Sequence, residues 1–233
     1  MKLIERLQYI ADEINIGETV ADIGTDHGFL PLYLLQTGKS PKVIMADISE
    51  GSLAKAEENC RIFKAEGSYD LRLGSGLEVL DYGETDVAVF AGMGGQLMRD
   101  LLANDIRKTK SIKKFILQPR NKAGVLRLWL EKNGIKIIKE GLVREGRFIC
   151  EIITAVTGYE EQPGLTWSPD YEYPDLLMDS EQNILRDYLD YKLEFENRIY
   201  GEMLQGNDVS EIKLSRARNK IEKLNRMKAC IYE

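Results

Sequence analysis

Val20-Ala21-Asp22-Ile23-Gly24-Thr25-Asp26-His27-Gly28 is the stretch on which the fold turns. A short apolar run enters a turn bearing Gly24 and Gly28, and the apolar segment 29–37 that follows predicts a helix. Strand, glycine turn and helix in that order bring backbone N–H groups and a helix N-terminus to the carboxyl end of the strand, where a ligand can sit. The glycines are spaced GxxxG, whereas a pyrophosphate cradle usually takes GxGxxG. Taken alone, either spacing is a common structural device, so the flanking sequence has to decide.

Working outward, β-branched runs predict strands near 19–23, 42–47, 69–73, 85–90, 112–118, 135–143 and 147–157. Helices are expected at about 29–37, 51–65, 95–104 and 121–132, after an opening amphipathic helix carrying Leu3, Leu7, Ile10 and Ile14 at steps of three and four. Short strands alternating with helices mean a mainly parallel sheet covered on both faces. The last two strands are separated only by Arg144, Glu145 and Gly146, too few for a crossover, so an antiparallel hairpin should end the sheet.

Residues 159–174 contain Pro163, Gly164, Trp167, Pro169 and Pro174, a linker composition. Beyond it, Ile184, Tyr188, Tyr191, Phe195, Ile199 and Met203 repeat at helical spacing, Gly206-Asn207-Asp208 suggests a turn, and Leu214, Ala217, Ile221, Leu224, Met227 and Ile231 resume the pattern. An antiparallel coiled-coil hairpin is expected, each arm about 30 to 40 Å long at ~1.5 Å per residue. Two units follow: 1–160 holding the sheet, and 161–233 holding the linker and hairpin.

The 233 residues are 43% hydrophobic and 30% charged, a balance that supports a folded core and excludes general disorder. No apolar run approaches the ~18 residues of a membrane span, and the acidic residues in the opening segment argue against an export signal, so a cytoplasmic location is expected. Cys60, Cys150 and Cys230 with the single His27 assemble neither a disulfide frame nor a metal site. The net charge of −6 arises entirely within 160–233. Two basic runs stand against it. One comprises Arg107, Lys108, Lys110, Lys113, Lys114, Arg120 and Lys122; the other runs from Lys213 to Lys228. Either could face phosphates or form a solvated face.

Candidate site residues gather at the predicted strand ends. Asp47, followed by Ile48, closes the second strand 25 residues after Asp22, where a carboxylate can accept hydrogen bonds from both hydroxyls of a ribose. Gly74-Ser75-Gly76-Leu77 follows the third strand, and Gly92-Met93-Gly94-Gly95 the fourth, exposing backbone amides at the carboxyl edge. The next strand ends in Gln118-Pro119-Arg120-Asn121, which places an amide and a guanidinium at the same edge.

DIGTDHGFLPLYL, VIMADIS, RLGSGLEVL, AGMGGQLM, ILQP with LRLWLEKNG, and GRFICEIITAVTG together resemble the bacterial tRNA (adenine-N1)-methyltransferase family that modifies adenine 22 in the D-arm. The likeness spans almost the whole chain, with one departure: the family usually has Asn directly after Gln-Pro, and here Arg120 precedes Asn121. It implies a Rossmann-like, seven-stranded class I methyltransferase sheet with a C-terminal helical hairpin, S-adenosyl-L-methionine as cofactor, tRNA as partner, no metal, and a monomer. Cofactor contacts are then implied for Arg6, Asp22, Gly24, Asp26, His27, Gly28, Asp47, Ile48, Gly74, Ser75, Gly76, Leu77, Gly92, Met93 and Gly94. Substrate contacts are implied for Gly95, Gln118, Pro119, Arg120, Asn121, Lys113, Lys114 and Lys122. Asp26 is the candidate to stabilise the cationic base or accept its proton, with capping of the following helix or bracing of the loop as its alternative role. Three other readings stay open: a methyltransferase of small molecules or proteins, a non-catalytic interaction protein with a vestigial pocket, and, least favoured, a nicotinamide oxidoreductase.

Overall fold

Asp22 occupies the middle of the molecule because the strand that ends beside it has a parallel neighbour on each side. The computed structural model describes every residue except 66, 207–209 and 233. In chain order the elements are α1 (Glu5–Asp12), β1 (Val20–Ile23), α2 (Phe29–Gln36), β2 (Lys42–Asp47), α3 (Glu50–Ile62), β3 (Ser68–Leu73), β4 (Val87–Met93), α4 (Gly95–Asn104), α5 (Ile106–Ser111), β5 (Lys114–Pro119), α6 (Ala123–Lys132), β6 (Lys136–Glu145), β7 (Phe148–Val156), α7 (Pro169–Glu172), α8 (Gln182–Gln205) and α9 (Glu211–Tyr232). Short 3-10 turns lie at Gly76–Val79 and Asp175–Asp179.

The seven strands form one sheet in the order β3-β2-β1-β4-β5-β7-β6. β1 to β5 are parallel, while β7 runs antiparallel to both β5 and β6. Reversal at the final hairpin returns its tip, Glu145 to Phe148, to the edge where β1, β4 and β5 end. Both faces of the sheet are sealed by apolar side chains, one around Phe90, Met98, Phe115 and Leu126, the other around Ile10, Leu34, Met45 and Ile116. This is the mainly parallel sheet with a closing antiparallel hairpin that the strand pattern predicts, and the Rossmann-like class I methyltransferase sheet that the resemblance implies.

Helix α5 was not expected. Its sequence, IRKTKS, has no apolar period; it is fixed instead by the Asp105 side chain, which accepts from the Lys108 N–H at 3.0 Å, and by Thr109, whose hydroxyl donates to the Leu102 carbonyl at 2.7 Å. Helix α6 begins at Ala123 because Lys122 adopts a left-handed conformation, φ 49°.

The expected linker is packed rather than loose. Tyr173 is buried and its hydroxyl donates to Glu196 on α8 at 2.7 Å, while Lys223 of α9 bridges Asp170 and Asp175 at 2.8 and 2.6 Å. α8 and α9 form the expected antiparallel helical hairpin, with Glu196 meeting Lys220 and Asp190 meeting Lys228. The predicted turn at Gly206-Asn207-Asp208 falls largely on residues outside those described. On α8 the buried face is Leu185, Tyr188 and Leu189; Tyr191 and Phe195 of the predicted stripe are exposed. The physical reason is that the covered stripe of α8 meets Leu142 of the sheet, Leu177 of the 3-10 turn and Leu224 and Met227 of α9 in one cluster, which leaves the Tyr191 and Phe195 side facing out.

A buried ionic cluster joins sheet and hairpin. Arg127 of α6, 1% exposed, donates to Glu140 of β6 at 2.6 Å and to Glu151 of β7 at 2.7 Å. Glu151 also accepts from the Tyr188 hydroxyl at 2.8 Å and from Lys192 at 3.2 Å, both on α8. Burial opposes ionisation of Glu151, yet Lys192 and Arg127 hold its pKa down to about 2.

Candidate active site

The carboxyl ends of β1, β2 and β3 are laced together by backbone. Gly24 and Thr25 donate to the Ala46 carbonyl at 2.7 and 3.1 Å, and Gly74 donates to the Asp47 carbonyl at 3.0 Å. Gly24 and Gly28 have φ of +80° and +69°, the left-handed region where a side chain is strained, and a Cβ on Gly24 would stand 2.3 Å from Cε of Met93. The loop thus lies flat against its neighbours and leaves a cavity of about 410 Å³ above β1 and β4. Ile4, Arg6, Asp22, Asp26, His27 and Met93 are among its lining residues.

Asp22 is sealed at the end of β1, where its carboxylate accepts from the Thr25 hydroxyl at 2.8 Å. Burial raises its pKa to about 6, with the Thr25 hydrogen bond and Arg6 pulling the other way. Asp47 is half-buried at the end of β2; its carboxylate accepts from the Ser49 N–H at 2.9 Å and from the Asp26 N–H at 3.4 Å. Around it Ile48 and Leu73 are exposed apolar residues, and the Gly74-Ser75-Gly76-Leu77 turn closes the outer side. A half-buried carboxylate between exposed apolar side chains fits a nucleoside, and a buried carboxylate on the cavity wall fits a cationic group. The residues present therefore fit S-adenosyl-L-methionine.

His27 stacks on Phe29 with ring centroids 5.5 Å apart and lies 3.5 Å from the Asp26 carboxylate. Asp26 itself, φ 47°, is exposed at the rim, its backbone directed to Asp47. It has no N-cap role: Gly28 caps α2, and without a side-chain bond.

A second cavity of about 470 Å³ adjoins the first, with Arg6, Gly92 and Arg120 on the wall of both. Gln118, Pro119, Glu145, Phe148, Ile149 and Cys150 complete it. Gly92 makes the junction, since the β4–β5 register slips there and φ of +77° bulges it out of the strand. The loops after β4 and β5 are then joined, because Arg120 donates to the Met93 carbonyl at 2.8 Å and Gly95 to the Asn121 carbonyl at 2.9 Å. A Cβ on Gly95 would lie 2.6 Å from the Lys122 carbonyl oxygen, so only glycine permits that approach. Arg6 reaches across from α1 to Glu145 at 2.9 Å and to Gln118 at 3.4 Å.

The expected substrate lysines separate. Lys122 stands at the site edge, at the start of α6. Lys113 and Lys114 lie at the opposite, amino end of β5, about 20 Å away at ~3.3 Å per residue. Lys114 is also buried, donating to the Glu13 carbonyl at 2.9 Å and to Glu18 at 2.6 Å, and Lys113 pairs with Asp86 at 2.7 Å. A phosphate contact from Lys114 at this site is therefore corrected: its charge is spent inside the fold. Sequence reasoning missed Ile4, Phe29, Glu145 and Phe148. By local pattern Glu145 reads only as part of a turn, and its partner Arg6 is too distant in the chain for any such pattern to join them.

Among the described residues no group of three or more His, Cys, Asp or Glu side chains is arranged to hold a metal ion, and no helix is long and apolar enough to cross a membrane.

Residues 3–153 match a family described as a methyltransferase domain, and the chain belongs to that family. More particularly, it is 29% identical over 215 residues to the tRNA (adenine(22)-N(1))-methyltransferase of Bacillus subtilis, covering 91% of this chain and 90% of that one. The crystal structure of the B. subtilis m1A22 tRNA methyltransferase TrmK superposes with a TM-score of 0.79 at 28% identity, covering 97% and 98% of the two chains. M. capricolum TrmK, solved in complex with S-adenosyl-homocysteine, gives 0.75 at 25% identity, covering 99% and 98%. The likeness read from the sequence motifs holds, and neither a nicotinamide oxidoreductase nor a vestigial fold is needed to explain the chain.

Proposed function

We propose that the protein transfers a methyl group from S-adenosyl-L-methionine to N1 of adenine 22 in tRNA. The observation that carries this reading is the pair of adjoining cavities sharing Arg6, Gly92 and Arg120: one holds Asp22 for a cationic centre and abuts, through Asp26, the Asp47 carboxylate outside it where a ribose would lie, and the other opens beside it for an acceptor. The choice of base and position is supported by the relatives, which match this chain over nearly their full length.

When bound, the cofactor supplies a methyl group on a sulfonium, which already has a good leaving group. N1 of neutral adenine carries an in-plane lone pair and needs no prior deprotonation, so the protein's task is orientation and exclusion of water. Asp47 holds the ribose, Asp22 and Arg6 the charged amino-acid end, and the Gly92 bulge keeps the wall between the cavities thin. An adenine inside a tRNA stem or stacked loop must leave its stack to enter, at a cost of a few kcal/mol. Contacts with phosphates from Lys122 and Arg120 at the edge offset that cost. We infer a cytoplasmic monomer, which light scattering of the purified chain checks.

The direct test is incubation with unmodified tRNA and cofactor, followed by nuclease digestion and mass spectrometry. One added methyl, as 1-methyladenosine in the fragment containing position 22, is expected. A methyl on another base, or none, overturns the reading.

A further inference from the structure

We infer that Glu145 and Phe148, at the tip of the β6–β7 hairpin, form the subsite for the acceptor base, Phe148 stacking on the purine and Glu145 accepting a hydrogen bond from its exocyclic amino group. The inference rests on the proposed adenine methylation and assigns residues to its acceptor half.

Three observations lead to it. Glu145 is the one carboxylate among the described residues on the second cavity, whereas Asp22 and Asp26 border only the first. Its Oε2 is bound to Arg6, and among the described residues its Oε1 has no hydrogen-bond partner. Phe148 is a large aromatic residue left 60% exposed on the same wall, with Arg147 over its ring at 4.9 Å. Exposed aromatic faces next to a cationic group are what extruded bases stack on.

The chemistry calls for a carboxylate at this place. The N1 lone pair forms the new bond to the methyl carbon, and the carbon–sulfur electron pair stays on sulfur. No proton has to leave, so the purine takes up a positive charge shared between N1 and the exocyclic nitrogen. Arg6 and Arg120 both border the cavity and would repel that charge. Glu145 offsets it and strengthens its bond to the amino group as the charge develops, which is stabilisation specific to the transition state. Because Arg6 also borders the first cavity, a carboxylate bound there draws its guanidinium from Glu145 and leaves Glu145 available to the base.

The test is a cycle of two enzymes and two substrates under single-turnover conditions. Wild type and Glu145→Gln are each given tRNA with adenosine at position 22 or with purine riboside, which lacks the exocyclic amino group. Each single change is expected to slow methyl transfer on the order of 10- to 100-fold, and both together by clearly less than the product of the two, because the hydrogen bond they share can be lost only once. The lower basicity of N1 in purine riboside affects both enzymes alike and cancels in the comparison. Multiplied, independent losses overturn the assignment of Glu145. So does a Glu145→Gln variant whose lost rate is matched by weakened cofactor binding in calorimetry, since Glu145 would then act only by holding Arg6. For Phe148, tRNA carrying 2-aminopurine at position 22 reports the position of the base without turnover. Phe148→Ala is expected to change the fluorescence of the complex while tRNA affinity stays within about threefold; Phe148→Leu checks that the hairpin still folds. Fluorescence equal to wild type overturns the stacking role. If wild type methylates neither tRNA, the failure belongs to the proposed function and not to this subsite.

Discussion

Asp22 shows how a single side chain ties folding to ligand binding. Its pKa is raised to about 6 by burial, above the unfolded value near 3.8. The group therefore contributes most to stability below pH 4, and that contribution is lost as pH rises through 6. A bound cation reverses the preference, because it favours the carboxylate. Cofactor affinity is expected to strengthen as pH rises from 5 to 7, by up to about tenfold per unit below pH 6, and Asp22→Asn should flatten that profile. Calorimetric titrations at pH 5, 6 and 7 check both. The importance of Asp22 and Asp47 is legible in the sequence because each lies at or next to the end of a predicted strand, and strand ends in an open parallel sheet converge on one crevice. Glu145 and the burial of Lys114 are not legible: 139 residues separate Glu145 from Arg6, and a lysine within a basic run reads as solvated until its partners Glu13 and Glu18 are placed beside it.

At the scale of elements, β5 divides the basic run 107–122 between two ends of the sheet. The three lysines should therefore respond differently to replacement. Lys122→Ala is expected to weaken tRNA binding several-fold in a filter-binding titration, with a reduced salt dependence. Lys113→Ala should leave tRNA affinity unchanged. Lys114→Ala should cost about 1 to 3 kcal/mol of stability, seen as a lower thermal midpoint, because it removes the cation paired with Glu18 and the donor to the Glu13 carbonyl. Seven strands were readable because alternating β-branched runs carry their own period. Helix α5 was not, since its stability comes from Asp105 and Thr109 rather than from an apolar face. The buried face of α8 is illegible for a related reason: a period of 3.6 identifies a helix, but which stripe is covered depends on all the surfaces it meets, here β6, the turn at Asp175–Asp179 and α9 together.

Across the whole molecule, Arg127 is the point at which sheet and helical hairpin share one set of charges. Arg127→Ala leaves Glu140 and Glu151 buried without their cation and is expected to destabilise the fold by about 3 to 5 kcal/mol. Denaturant unfolding followed both by far-UV dichroism and by tryptophan fluorescence checks this; the variant should show a lower midpoint by both probes. The two joined loops after β4 and β5 have a wider meaning. With Gly95 wedged against the carbonyls of Asn121 and Lys122, neither loop can swing without dragging the other, so this side of the crevice behaves as a fixed jaw. Any breathing that admits a bulky guest must then come from the opposite jaw, the α1 segment holding Arg6, and mutations that stiffen that segment should slow entry and exit more than they alter the bond-making step.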